Sequence, residues 1–293
     1  MTAEGPFAVL GLGLIGGSLA RDLAASGATV WGYDTDAATM RRARRSGAVA
    51  ATIGHDLSQL AGAQTVVFAV PVDAAPALME RAQPFLEGAA LITDVGSTKR
   101  RIVAHAAALG LGRTFVGSHP MAGGDQAGWA ASRRGLFAGA RVDLCGNAAA
   151  SPAAWRRARA MWRRVGGRPA ARDATAHDAE VALSSHLPQV LAIALAGALA
   201  ARGIPRNRLG PGGRDMTRLA GSSPDVWAAI VADNAAEVLV ALDECQATLG
   251  ALRSAVAAHD RGAVREAFTH ARRWMEASGG RRAQIRRVEG VER

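Results

Sequence analysis

Residues Val9–Ser18 read VLGLGLIGGS, and Gly11, Gly13 and Gly16 stand at the spacing G-x-G-x-x-G. The run follows a short apolar stretch, Phe7–Leu10, that reads as a strand, and opens into a helix-like stretch, Ser18–Ser26. This junction admits few folds. The first glycine allows a tight turn, the second lets a pyrophosphate approach the backbone, and the third lets helix and strand pack closely. Free N–H groups at the helix start then receive the phosphates. Asp34 ends the next candidate strand, 18 residues past Gly16. A carboxylate there accepts hydrogen bonds from ribose hydroxyls and repels a 2′-phosphate. The pattern predicts a dinucleotide site that prefers NAD to NADP, with Leu14, Ile15, Val70 and Pro71 as further contacts. Two alternatives stay open: Asp34 could instead cap the following helix, and Arg41 and Arg42 could grip a 2′-phosphate.

Beyond the glycine turn the first half alternates apolar runs with helical patterns. Candidate strands are Phe7–Leu10, Thr29–Tyr33, Val66–Val70, Leu91–Asp94, Phe115–Ser118 and Val142–Cys145, with helix-like stretches such as Ala37–Ser46 and Ala75–Phe85 between them. Alternation of this length predicts an α/β Rossmann-type domain, a parallel sheet with helices on both faces. The character changes near Asn147–Pro152. After one more possible extended run at Arg168–Ala171, the chain reads as helix: Thr175–Arg202, Gly213–Ala220, Pro224–Ala258 with a possible break near Gly250, and Arg261–Ser278. The expected division is 1–150 for dinucleotide binding, 151–280 for an all-helical domain, to which the family resemblance given below assigns substrate binding and dimerisation, and 281–293 for a frayed basic tail. The stretch Val181–Leu199 is apolar on most faces, which predicts a helix buried all round and suited to a subunit interface.

Composition narrows the function classes. Two cysteines, Cys145 and Cys245, form neither a disulfide framework nor a metal-ligand spacing, so two thiols in a reducing cytoplasm are expected and no metal. No basic leader follows Met1. The longest apolar stretch, Val190–Ala201, has 12 residues, short of the roughly 20 that span a bilayer. The formal net charge is +10, yet Lys99 is the only lysine and the arginines are scattered without interleaved aromatics. That pattern argues against a nucleic-acid partner and for attraction of small anions.

Three further segments carry a family resemblance: DVGSTK at Asp94–Lys99, GSHPMAG at Gly117–Gly123, and GGRDMTRLA at Gly212–Ala220, with SSHLPQ at Ser184–Gln189 and Trp227 in support. In this order and separation they resemble the prephenate/arogenate dehydrogenases. The resemblance implies a Rossmann domain followed by a helical domain that builds a homodimer, and a small anionic cyclohexadienyl substrate oxidised by NAD with loss of carbon dioxide. By the same resemblance His119 is the catalytic base, since neutral imidazole suits proton abstraction near neutral pH, and Ser97 orients it beside the nicotinamide. Arg218 holds a substrate carboxylate through its planar guanidinium. Asp215, three residues earlier, is its expected partner on one helical face. His186, beside a kink expected at Pro188, and Trp227 help shape the substrate cleft. The chain departs from the family at Gly124-Asp125, where relatives often carry a hydroxyl residue and a glutamate, so Asp125 bears on substrate choice. Any feedback by tyrosine would act at the active site, because no regulatory module is recognisable.

Prephenate is the expected substrate and arogenate, or an aminated prephenate analogue, the alternative. A catalytically inactive nucleotide-binding sensor would need the glycines but not Ser97, His119 and Arg218 together. Dehydrogenases that use a catalytic lysine in the helical half are disfavoured, because no lysine follows Lys99.

Overall fold

Strand β1 (Phe7–Leu10) is buried along its whole length, as a parallel strand covered on both faces must be. Its side chains alternate: Phe7 and Val9 enter one apolar cluster, with Leu19, Leu23 and Trp162, while Ala8 and Leu10 enter another, with Phe68, Met79 and Ile92. The computed structural model describes residues 5–124 and 126–289, and of 278–289 the backbone alone. The chain divides into two compact units, Met1–Val238 and Leu239–Arg293.

In the first unit the order runs β1, α1 (Leu14–Ala25), β2 (Val30–Tyr33), α2 (Ala37–Arg45), β3 (Ala51–Thr52), β4 (Thr65–Phe68), α3 (Ala75–Ala82), β5 (Leu91–Asp94), α4 (Arg100–Ala108), β6 (Gly117–Pro120), β7 (Arg141–Cys145), α5 (Pro152–Arg164) and β8 (Arg168–Ala171). Five strands form a parallel sheet in the order β3-β2-β1-β4-β5. The chain winds outward in both directions from the β1/β4 pair, so a crevice opens at the carboxyl ends of those two strands, where such sheets bind ligands. Gly11 and Val70 follow those ends.

The expected parallel sheet is therefore present, with two differences. The two-residue strand β3 is too short to leave a pattern in the sequence. The later strands form a separate sheet, β6-β7-β8, in which β6 and β7 are antiparallel and β7 and β8 parallel. Helix α5 stays with the sheets: Ala154, Ala158, Met161, Trp162 and Val165 pack into the cluster that holds Phe7 and Val9. Ser151 caps α5 by accepting from the Ala154 N–H, and Pro152 fills its first turn.

Helices complete the unit: α6 (Ala174–Val181), a π-helical turn at Ala182–His186, α7 (Leu187–Ala201), α8 (Pro211–Met216), a 3-10 turn at Arg218–Gly221, α9 (Pro224–Asp233) and the start of α10 (Ala235–Ala257). A π-helical turn stands where the kink near Pro188 is expected, and Pro188 follows it in the first turn of α7. The continuous stretch Ala174–Ala201 is long and apolar enough to cross a bilayer by length and composition alone. Yet four of its polar residues, His177, Asp178, His186 and Gln189, are buried against the rest of the unit. The prediction that Val181–Leu199 is buried all round is not met within the chain: Leu183 is 50% and Ile193 51% exposed. Periodicity reports an apolar face and cannot say whether the cover comes from the same chain.

The second unit takes in α10 from Leu239 and α11 (Arg261–Glu289). Gly250 does not break α10. The tail expected to fray from Arg281 is helical to Glu289, and residues 290–293 lie outside the described residues.

Lys99 fastens β5 to α4. Its side chain is fully buried and paired with Asp94, itself 3% exposed. Removing one member of such a pair strands a buried charge and costs about 3–5 kcal/mol. Lys99→Ala is expected to lower the unfolding free energy by that amount in urea titrations, and Lys99→Met with Asp94→Asn by less. A loss under about 1 kcal/mol for Lys99→Ala would show that the pair is not structurally required.

Candidate active site

The glycine turn has the shape of a cradle. Gly11 has φ +96°, and a Cβ on it would sit 2.4 Å from the Ala69 carbonyl oxygen. A Cβ on Gly16 would sit 2.0 Å from the Gly11 carbonyl oxygen. Gly13 differs: nothing lies within 4 Å of its Cβ position. The protein thus needs glycine at 11 and 16 for its own packing and leaves open space at 13, beside the N-terminus of α1, where an anion could be received. Leu14 and Ile15 open that helix and pack against the core. Val70 Cγ1 lies 3.0 Å from the Gly11 Cβ position, and Pro71 follows Val70 in the chain. Asp34 accepts from the Leu12 N–H (2.8 Å) and the Asp36 N–H (2.9 Å). It does not cap α2, because Asp36 does that by accepting from Ala38 and Thr39. The Asp34 carboxylate therefore braces the glycine turn and keeps lone pairs for a ribose.

His119 is half-buried on β6. Its neighbour Ser118 is fully buried, sharing a 2.8 Å hydrogen bond with Thr93 and accepting one from the Trp162 indole at 2.9 Å. Asp94 accepts from the Ser118 and Gly96 N–H groups as well as from Lys99. β6 is thus fixed to the end of β5, with the Gly96–Thr98 turn, which carries Ser97, between β5 and α4. Among the described residues no hydrogen bond joins Ser97 to His119. The ring is held instead by His177 of α6, whose Nε2 lies 2.9 Å from His119 Nδ1. The rings meet edge to face at 5.1 Å. Burial, followed by the electrostatic influence of His177, Lys99, His186 and Arg141, holds the His119 pKa well below its usual value. Its neutral, proton-accepting form therefore prevails at neutral pH.

Behind His177 stands Asp178, which accepts from His177 Nδ1 (2.8 Å) and from the N–H groups of Lys99 (2.8 Å) and Arg100 (2.8 Å) at the start of α4. Burial alone would raise this carboxyl's pKa. The hydrogen bonds from His177, Arg100 and Lys99 outweigh it and hold the pKa below the ordinary value. His177 and Asp178 escaped the sequence reading, because an adjacent His-Asp pair inside a helix carries no spacing signal.

His186 is buried, with its ring 6.0 Å from Trp227, so these two expected site residues do meet. Asn234 lies 3.2 Å from His186 Nδ1 and donates to the Asp178 carbonyl at 2.8 Å. The buried His186 Nε2 finds no partner among the described residues. Burial pushes its pKa down to about 4 despite the Asp178 charge, so His186 is neutral.

Arg218 is exposed, on the 3-10 turn that Gln189 anchors by donating to the Leu219 carbonyl at 2.7 Å. The expected pairing with Asp215 is absent among the described residues. α8 ends at Met216 and Thr217 separates it from the turn, so positions 215 and 218 do not share a helical face. Gly124 is exposed, and Asp125 lies outside the described residues.

The chain resembles known proteins over most of its length. The nucleotide-binding domain of prephenate dehydrogenase matches residues 19–170, and the dimerization domain of prephenate dehydrogenase matches residues 173–270. A cyclohexadienyl dehydrogenase of Zymomonas mobilis is 33% identical over 280 residues, 92% of this chain and 94% of that protein. A prephenate dehydrogenase of Bacillus subtilis is 31% identical, over 85% of this chain and 70% of that one. The crystal structure of prephenate dehydrogenase from A. aeolicus in complex with hydroxyphenyl propionate and NAD+ has a TM-score of 0.83 and 27% identity, covering 96% and 98% of the two chains.

The open space at Gly13 generates a test. Gly13→Val should leave thermal stability close to that of the parent, because no atom of the folded chain occupies the site. It should weaken dinucleotide binding, read by calorimetry, by at least about tenfold, the cost of a misplaced contact of about 1.4 kcal/mol. Undiminished binding would mean that the phosphates lie elsewhere.

Proposed function

The chain belongs to the prephenate dehydrogenase family, and on that premise we propose that it catalyses the NAD-dependent oxidative decarboxylation of prephenate to 4-hydroxyphenylpyruvate, a step of tyrosine biosynthesis. The observation that carries this reading is His119, a neutral imidazole following β5 and α4 in a domain whose first turn offers a dinucleotide cradle. Gly11, Gly13 and Gly16 with the N-terminus of α1 would hold the pyrophosphate, and Asp34 the adenosine ribose. NAD would accept the hydride from C4 of the substrate ring. His119 accepts the C4 hydroxyl proton as the hydride leaves. The electrons of the bond to the departing carboxylate then aromatise the ring, and the proton returns to what has become a phenolic oxygen. The net products are carbon dioxide, reduced cofactor and a phenol. Arg218 is assigned to a substrate carboxylate, His186 and Trp227 to the wall of the cleft, and Ser97 to the nicotinamide side of His119.

The site is assigned to a homodimer. Leu183 and Ile193 are exposed on the first unit, and Leu239, Val240 and Val256 on the second, and the matched C-terminal family domain is a dimerization domain. The free thiols suit the reducing cytoplasm. Burial pushes the Cys145 thiol up to about 12, which makes it unreactive. A second reading, activity on arogenate as well, is favoured by the Zymomonas relative, whose name refers to the cyclohexadienyl ring.

Supplying NAD with prephenate, then with arogenate, and following reduced cofactor tests the proposal. Turnover of prephenate is expected, and His119→Asn should lower kcat by about a hundredfold to ten-thousandfold with NAD affinity nearly unchanged. Near-normal kcat in that variant would remove His119 as the base. Absence of turnover with both substrates would leave a nucleotide-binding protein without this activity.

A further inference from the structure

The three hydrogen bonds to Asp178 decide where the protons of the two neighbouring histidines lie. The Lys99 and Arg100 N–H groups can only donate, so the carboxylate must accept from both. Held ionised by these bonds, Asp178 has no proton to offer His177, and its 2.8 Å contact with His177 Nδ1 requires that this nitrogen carry the hydrogen. In a neutral His177 the Nε2 is then a lone pair. It lies 2.9 Å from His119 Nδ1, and two lone pairs do not approach that closely without a proton between them. His119 Nδ1 therefore carries the hydrogen, and its Nε2 is left bare.

We infer that His177 and Asp178 are positioning residues that lock His119 in its Nδ1–H tautomer, so that Nε2 is the atom that takes the substrate proton. This assignment rests on the reading of His119 as the base. It also supplies a place for the charge that follows. Once His119 Nε2 has taken a proton, the imidazolium already points Nδ1–H at His177 Nε2, and His177 leans on an ionised carboxylate through its other nitrogen. Lys99, His186 and Arg141 are the other charged or titratable groups that act on His119. The two cations among them, Lys99 and Arg141, already pair with Asp94 and with Asp143 and Glu180. Asp178 is thus the carboxylate linked to the His119 ring through a hydrogen-bonded partner.

Variants at His177 test the lock sharply. His177→Gln, whose side-chain carbonyl can still accept from Nδ1, should keep the parent tautomer and hold kcat within about tenfold of it. His177→Leu removes the acceptor, so the Nδ1–H tautomer of His119 is no longer enforced and kcat should fall about a hundredfold or more, with NAD affinity little changed. Nitrogen-15 NMR of the histidine rings near neutral pH is expected to show His119 protonated at Nδ1 in the parent and in His177→Gln, and to lose that preference in His177→Leu. In Asp178, Oδ1 accepts from Lys99 N–H and His177 Nδ1 and Oδ2 from Arg100 N–H, so an amide leaves an NH2 facing one backbone donor whichever way it turns. Asp178→Asn should therefore loosen the lock and lower kcat by about tenfold or more. If His177→Leu fails to fold, the tautomer of the parent carries the test. A parent His119 protonated at Nε2, or an unchanged tautomer in His177→Leu, would overturn the inference. The parent tautomer found as expected together with normal turnover by His119→Asn would refute the base assignment and leave the lock standing.

Discussion

Asp178 accepts the leading free N–H groups of α4 and the Nδ1–H of His177, and much of the rest of the site hangs on that carboxylate. Free N–H groups at a helix start carry partial positive charge and demand acceptors; a buried carboxylate demands donors. Each satisfies the other, and in doing so α6 is joined to the loop that follows β5. Asn234 extends the junction by donating to the Asp178 carbonyl. Thr98 and Arg101 bind Asp233 at 2.6 and 2.8 Å, and Arg100 binds Glu237 at 3.0 Å. Helices α6, α9 and the start of α10 are thereby tied to the one turn whose other face, through Asp94 and Ser118, sets the position of β6. His119 is placed by both attachments, which is why a histidine on a short strand can be held within hydrogen-bond distance of a residue far along the chain.

The same network explains the electrostatics. A strongly basic chain would be expected to disfavour further positive charge, but the local arrangement matters more than the total. Arg141 and Arg172 are taken up by Asp143 and Glu180, and Lys99 by Asp94. What reaches His119 is burial combined with a residual cationic field, and both favour the neutral imidazole. A base that is neutral when substrate arrives and whose conjugate acid is met by a hydrogen-bond acceptor has the properties that proton abstraction from an alcohol requires.

Much of this was legible in the sequence where physics leaves a local mark. The G-x-G-x-x-G turn is legible because Gly11 and Gly16 have no room for a side chain, and β1, β4 and β5 because strands covered on both faces read as apolar runs. His119 and Arg218 are assigned through motifs. What escaped was non-local. Nothing in the sequence around His177 says that it faces His119, 58 residues earlier, since the contact exists only after two β-strands and a helix have packed. The Asp215–Arg218 pairing failed for a related reason: spacing of three assumes a continuous helix, and Thr217 ends it. The apolar face at Leu183 and Ile193 read correctly as apolar and wrongly as covered, because hydropathy does not record whose side chains provide the cover.

A neutral His119, held by a hydrogen-bonded histidine, is assigned as the base of the reaction. The pH dependence of kcat/KM for prephenate at saturating NAD, followed from about pH 5 to 8, is the decisive test, because that profile reports the essential base of the site before substrate binds. A single acid limb is expected, with a midpoint below the ordinary histidine value of about 6.5 and absent from the residual activity of His119→Asn. A midpoint at or above that value, or a limb that survives the substitution, would contradict it.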